Sequence, residues 1–292
     1  LDNQLKSSIE KVLSERSGSA FFIEQAEPVA GGSINNAFRI KAGETYCFVK
    51  SNSGKSFPGM FSAEKKGLQL LADHNEIKVP RVIHVQDDQE ESFLILEYVE
   101  LVKPDPEVFR EFGRGLASMH RYSNNRFGLD HDNYIGSLKQ SNKFHSSWAE
   151  FFIEERLAPQ LKLAFDNKKI GGSFIRLTDQ LFSRINNLFP SESSSLIHGD
   201  LWSGNFMATR DAKPCFYDPA VYYGHREMDI AMTRLFGGFE KGFYEAYNEN
   251  FPLENGWSKR VDLCNLYPLL VHVNLFGGSY AREAEGIVKR FV

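Results

Sequence analysis

The spacing of apolar residues changes character near residue 100, and this change constrains the fold more than any other feature of the chain. Upstream, short β-rich runs dominate. Ala37, Phe38 and Ile40 lie before a turn at Gly43, residues 45–50 follow, and residues 79–85 and 92–99 form a further pair around the acidic turn at 87–91. Among these runs sits one helical stretch, 62–74, with Ala63, Leu68, Leu70 and Leu71 available for burial and Ser62 as its expected N-cap. Pro104 and Pro106 then mark a switch to helical spacing, first at Val108, Phe109, Phe112, Leu116 and Met119. Further helices are predicted over 147–166 with Pro159 as a break or kink, and over 173–189, 228–236, 238–249, 257–276 and 279–291. Leu5, Ile9, Val12 and Leu13 predict an amphipathic helix at the start. The expected fold class is α+β with two lobes: residues 1–99 as a small antiparallel sheet lobe with one helix, and residues 100–292 as a larger, mainly helical lobe.

Composition narrows the functional classes. With 42% hydrophobic and 13% aromatic residues, the 292-residue chain can bury a large core, which excludes disorder as a general description. A net charge of -4 argues against a general binder of phosphate backbones, so no nucleic-acid partner is expected. Apolar runs stay well short of the roughly 18 residues that a membrane-spanning helix needs, so no membrane partner is expected either. The first twenty residues carry charges throughout and lack an apolar signal core, which predicts a cytoplasmic protein. Cys47, Cys215 and Cys264 are too widely spaced for a zinc knuckle or a disulfide scaffold and read as ordinary, partly buried residues.

The segment 196–218 breaks the helical pattern. Leu196-Ile197-His198-Gly199-Asp200 and Cys215-Phe216-Tyr217-Asp218 each place polar groups directly after a short apolar stretch, as two short strands flanking a loop would. The loop reads HGDLWSGN over 198–205. Phosphoryl transfer needs a carboxylate to orient the attacking hydroxyl and take its proton, and an amide oxygen with a second carboxylate to hold magnesium against the phosphates of ATP. Asp200 and Asn205 have the D-x-x-x-x-N spacing of a kinase catalytic loop, and Asp218 follows at the position of a metal-binding aspartate. Singly, each residue also fits a turn or capping role. Together, and in this order, they favour Asp200 as base and Asn205 with Asp218 as magnesium ligands. His198 is expected to hydrogen-bond the loop backbone, and Gly199 and Gly204 to let the loop turn tightly.

Nucleotide contacts are expected upstream. Lys50 ends a β run, where its ammonium can meet the α and β phosphates, and Glu64 lies fourteen positions later in a helix that can hold it. Gly31, Gly32, Ser33 and Asn35 lie in a small-residue loop that offers backbone N–H groups to phosphate, although a plain hairpin turn explains it too. Glu97 and Val99, at the end of the last upstream strand, are expected to recognise adenine through their main chain.

GGSINNAF at 31–38, Lys50 with Glu64, HGDLWSGN at 198–205, DPAVYYGHREMDIAM at 218–232 and LYPLLVHVNLFGGSY at 266–280 resemble the fructosamine kinase, or ketosamine 3-kinase, family over nearly the whole chain. The resemblance implies a protein-kinase-like fold, ATP and Mg2+ as cofactors, and phosphorylation of the 3-hydroxyl of small-molecule or protein-bound ketoamines, followed by release of the amine. It also implies that Asp229 braces the catalytic loop. Trp202 and His225 are candidates for substrate contact or for packing around the site. A monomer or weak homodimer is expected. Related readings are an aminoglycoside, choline or homoserine kinase, or a nucleotide-binding pseudokinase.

Overall fold

The computed structural model describes residues 1–29 and 34–292. Its first part contains helix α1 (Asn3–Ser17), strands β1 (Gln25–Pro28), β2 (Asn36–Ala42) and β3 (Thr45–Asn52), helix α2 (Met60–His74), and strands β4 (Val82–Asp87) and β5 (Ser92–Glu97). The five strands form one antiparallel sheet in the order β1-β2-β3-β5-β4. Side chains alternate across it as strand geometry requires. Cys47, Val49, Phe93 and Ile95 pack with Leu5, Ile9 and Leu13 of α1 on one face. Leu94 and Leu96 join Phe61, Leu68 and Leu71 of α2 on the other. Phe48 and Lys50 pair in register with Leu96 and Leu94 and share that second face, so the alternation that buries β3 also turns Lys50 toward α2.

Strand β6 (Leu101–Val102) leads into α3 (Pro106–Met119), which is N-capped by Asp105. After a hairpin of β7 (Asn133–Ile135) and β8 (Leu138–Gln140) come α4 (Trp148–Phe151), a π-helical turn (Phe152–Leu157), α5 (Ala158–Asp166) and α6 (Gly172–Arg184). Strands β9 (Ser195–Ile197), β10 (Phe206–Thr209), β11 (Pro214–Phe216) and β12 (Tyr222–Gly224) precede α7 (Glu227–Met232), α8 (Lys241–Asn250), α9 (Trp257–Phe276) and α10 (Tyr280–Phe291). A small antiparallel sheet lobe thus precedes a larger helical one, an α+β arrangement of the protein-kinase-like kind.

Several local expectations are corrected. Helix α2 starts at Met60 after Gly59 in the left-handed region, and the Ser62 amide is capped at 2.8 Å by Asp87 from the end of β4 instead of Ser62 serving as the cap. Residues 148–166 run on without a break, because the π-helical turn absorbs the missing N–H of Pro159 and the clash of its ring with the preceding turn. The segment 196–218 holds three short strands, β9, β10 and β11, with β10 paired to β11 and β9 paired to β12 just beyond it. All three cysteines are fully buried and free.

Candidate active site

Residues 198–205 leave β9 and turn sharply. Gly199 has φ +81°, and a Cβ there would meet the Ala220 carbonyl oxygen at 2.2 Å, so the turn and the close approach both demand glycine. Two main-chain amides of this turn point into the interior, where the buried Asp229 carboxylate accepts from His198 N at 2.7 Å and from Gly199 N at 2.9 Å. Asp229 is fixed in turn by His120 Nε2 at 3.2 Å, and His120 Nδ1 meets Tyr247 Oη at 2.8 Å. Replacing Asp229 by alanine strands two buried amides at about 1–3 kcal/mol each. Asp229→Ala is therefore expected to lose several kcal/mol in chemical denaturation, and Asp229→Asn less, because one amide can still be accepted.

His198 donates from Nε2 to Tyr217 O at 3.0 Å and accepts from Asp200 N through Nδ1 at 3.2 Å. Those two bonds define a neutral imidazole, and burial pushes its pKa down in the same direction. The ring therefore holds the two halves of the loop together and leaves the floor of the cleft to Asp200.

Asn205 donates through Nδ2 to the Asp200 main-chain oxygen at 2.9 Å and to Asp200 Oδ2 at 3.1 Å. The Asn205 side-chain oxygen Oδ1 then makes no hydrogen bond among the described residues, while its main-chain oxygen accepts from Tyr217 N at 3.2 Å. Asp218, just past β11, has a left-handed φ of 56°, a conformation that costs energy for a residue with a side chain. One of its oxygens, Oδ1, meets the Lys50 ammonium, and its side chain is 43% exposed. A side-chain amide oxygen and a partly exposed carboxylate, both oxygen donors with spare lone pairs, fit a hard divalent cation such as magnesium.

Lys50 is 6% exposed and also binds Glu64 Oε1 at 2.7 Å. Burial opposes its charge, but Asp218 and Glu64 outweigh that cost and hold the ammonium above its ordinary pKa. For Asp200 the balance runs the other way. Burial, with Asp218 adding to it, pushes the carboxyl up to about 7 against the Asn205 hydrogen bond.

The side chains thus form two groups, Asn205 with Asp200 and Lys50 with Glu64 and Asp218, joined through the main chain where Tyr217 N donates to Asn205 O at 3.2 Å, with His198 and Asp229 beneath the loop. Asn35 accepts from Asn52 Nδ2 at 2.9 Å, at the end of the strand that carries Lys50. The expectations on Gly31, Gly32 and Ser33 lie outside the described residues. Glu97 pairs through its N–H with Arg81 O at 2.9 Å, whereas the Val99 N–H makes no hydrogen bond among the described residues. His225 is 1% exposed, packed between Trp148 and Phe189 beside Glu192, which leaves it no surface for a substrate. Its neighbours Arg226 and Glu227 form ion pairs with Glu192 and Arg260, at 2.6 Å each, that anchor the start of α7.

Trp202 lies over Gly204, where a Cβ would meet its ring at 2.2 Å. The indole also makes an edge contact with Phe236, and Phe236, His272, Phe276 and Tyr280 continue as a partly exposed aromatic group. Sequence reasoning missed this group because its members come from three separated segments. One signal was present: Gly237-Gly238 and Gly277-Gly278 each follow an exposed phenylalanine.

A model of the fructosamine kinase family matches residues 5–292 of the chain. A probable ketoamine kinase of Vibrio parahaemolyticus is 38% identical over 290 residues, covering 98% of this chain and 98% of the relative. The chloroplastic protein-ribulosamine 3-kinase of Oryza sativa subsp. indica is 37% identical over 283 residues, covering 94% of this chain and 81% of the relative. A crystal structure from Haemophilus somnus with a provisional fructosamine-3-kinase assignment is 34% identical, with a TM-score of 0.89 over 97% of this chain and 96% of that one. The likeness runs from the sheet lobe through the last helix, and the chain belongs to the fructosamine kinase family, as an ATP-dependent phosphotransferase of protein-kinase-like fold.

Proposed function

We propose that this chain transfers the γ-phosphoryl group of ATP to the 3-hydroxyl of a ketosamine, a ribulosamine, erythrulosamine or fructosamine adduct of a small or protein-bound amine, and so begins deglycation. The observation that carries this reading is the pairing of Asn205 with the Asp200 carboxylate and of Lys50 with Glu64 and Asp218, with the Asp218 charge felt at Asp200, in a member of this family. Asp200 orients the hydroxyl and accepts its proton as the oxygen–phosphorus bond forms and ADP leaves. Its elevated pKa suits a base working near neutral pH. Lys50, steadied by Glu64, turns its ammonium to the α and β phosphates. Asn205 and Asp218 hold magnesium, which when bound offsets negative charge on the phosphates. The main chain at Glu97 and Val99 meets adenine, and Asn35 contacts the phosphates. Trp202 and the aromatic group around Phe236 face the amine-bearing part of the acceptor.

A 3-phosphate on a ketosamine sits on the carbon directly next to the carbonyl. Loss of a proton from the amine-bearing carbon, on the other side of that carbonyl, gives an enaminol whose electrons expel phosphate from carbon 3, and hydrolysis of the resulting imine releases the amine. Free, buried Cys47, Cys215 and Cys264 fit a reducing compartment, and we place the activity in the cytoplasm, in a monomer or weak homodimer. No helix of the described residues is long and apolar enough to cross a membrane.

The acceptor is tested by measuring ADP release with magnesium and ATP against ribulosyl-lysine, fructosyl-lysine, choline, homoserine and an aminoglycoside. At least one ketoamine is expected to exceed the other acceptors by about 100-fold or more in kcat/KM, the range that a pocket with buried polar groups can impose. Turnover of choline, homoserine or the aminoglycoside with no turnover of either ketoamine would reject this acceptor. ATP binding without consumption of any acceptor would point to a pseudokinase.

A further inference from the structure

Asp218 sits in a left-handed conformation that its own side chain disfavours, and such a residue persists only where its surroundings fix it. The restraint lies just downstream. Gln140 donates through Nε2 to the Ala220 carbonyl at 3.2 Å, and Asn133 donates through Nδ2 to the Val221 carbonyl at 2.8 Å. Behind them the bonds continue in one direction. Tyr267 Oη donates to Gln140 Oε1 at 2.6 Å, Gln140 Nε2 also donates to Asn133 Oδ1 at 2.8 Å, and Asn142 Nδ2 donates to the same Asn133 oxygen at 3.0 Å. Arg156, 0% exposed, donates from Nη2 to Asn142 Oδ1 at 2.7 Å and stacks on the ring of Tyr222. These bonds lead toward two consecutive carbonyls, so the amide orientations reinforce one another, while Asn142 Nδ2 and Arg156 Nη1 are also tied to the main chain at His131 O and Ser141 O.

The Ala220 peptide is held from its other side as well. Its N–H donates to the His198 carbonyl at 2.9 Å, in the loop that carries Asp200. One residue therefore connects the buried network, the Asp218 segment and the catalytic loop. The network members are buried, drawn from the β7–β8 hairpin, the π-helical turn and α9, and none belongs to the set around Lys50 and Asp200.

We infer that Gln140, Asn133 and Tyr267 are positioning residues for phosphoryl transfer, acting through the Ala220 and Val221 carbonyls to hold Asp218 in register with Asp200. This rests on the proposed phosphotransferase roles of Asp200 and Asp218. Reaction rates are sensitive to such register, since a displacement of about 1 Å in a reacting group can cost on the order of 100-fold.

Gln140→Met keeps the volume and removes the hydrogen bonds, and Tyr267→Phe removes one oxygen only. Asn274→Leu serves as a control, because Asn274, seven residues beyond Tyr267 on α9, makes buried bonds to Gln160 O at 2.9 Å and Gln160 Oε1 at 2.8 Å and none to this network. Steady-state kinetics with a ketoamine are expected to show kcat lowered about 10- to 100-fold in Gln140→Met and about 5-fold in Tyr267→Phe, with KM for ATP within about 2-fold. Asn274→Leu is expected to lose thermal stability while keeping kcat. Amide hydrogen exchange, which needs no acceptor, is expected to speed up about 10-fold or more at Ala220 in Gln140→Met and to stay unchanged there in the control.

Unchanged kcat in both network variants, or an equal loss of kcat in Asn274→Leu, would overturn the inference. If the wild-type protein phosphorylates no ketoamine, the acceptor reading fails, and the exchange rates at Ala220 still decide whether the network restrains the segment. If Gln140→Met does not fold, Tyr267→Phe, which preserves the packing, decides in its place.

Discussion

Asp200→Asn is expected to lower kcat for phosphoryl transfer by about 1,000-fold, within the range for loss of a positioned general base, while ATP binding stays within a few fold. The amide keeps the size of the carboxylate and can still accept from Asn205 Nδ2, so the loop has no reason to rearrange. What it lacks is a site for the hydroxyl proton. The same substitution is expected to stabilise the metal-free protein. Burial, with Asp218 adding to it, raises the Asp200 carboxyl from 3.8 to about 7, so the folded state holds a proton that the unfolded state has already released. Stability from this group is therefore greatest in acid and declines as pH rises through about 7, where the buried carboxylate must ionise. Thermal melts of the metal-free protein should show Asp200→Asn gaining a few degrees over wild type at pH 8 and little or nothing at pH 4. Equal melting temperatures at both pH values would remove the buried-carboxylate argument, and near-normal kcat would remove the base.

Asp218→Asn is expected to cost about 100-fold or more in kcat, with the concentration of magnesium needed for half-maximal rate raised about 10-fold. Two effects combine. The cation site loses its formal negative charge, and Lys50, nearly buried, keeps only Glu64 as a charged partner. A loss of rate that extra magnesium partly restores separates this variant from Asp200→Asn, for which added metal does nothing. Asp218→Asn with wild-type magnesium dependence would remove Asp218 from the metal site.

Much of this arrangement was legible from the sequence because it rests on local rules. The β-rich apolar runs of β3 and β5 and the helical spacing of α3 mark the segments that are buried, and D-x-x-x-x-N fixes Asp200 and Asn205 within one turn of chain. The link between Lys50 and Glu64 was also readable, since a strand end and the following helix are neighbours in sequence. Strand β1 was missed because all four of its residues are exposed, so no apolar alternation marks it. The cap of α2 was misplaced because its carboxylate, Asp87, comes from another element.

The pairing of β9 with β12 and the network from Tyr267 to Ala220 were illegible for a related reason. Asn133, Gln140 and Tyr267 carry ordinary polar side chains whose partners lie up to 127 positions away, and nothing in their own neighbourhoods announces burial. His225 shows the converse. It directly follows the metal segment in sequence, yet the turn into α7 carries its ring inside the lobe between Trp148 and Phe189.

The central claim is a direct transfer from ATP to the sugar 3-hydroxyl under the control of Asp200. Phosphorus–proton correlation NMR on ribulosyl-lysine incubated with the enzyme, ATP and magnesium tests it most directly. The account predicts one new phosphate ester coupled to the proton on carbon 3, formed in equal amount with ADP and undetectable with Asp200→Asn over the same time. A phosphate ester on another hydroxyl, or ADP appearing with inorganic phosphate from the outset and no ester at any time, would contradict it.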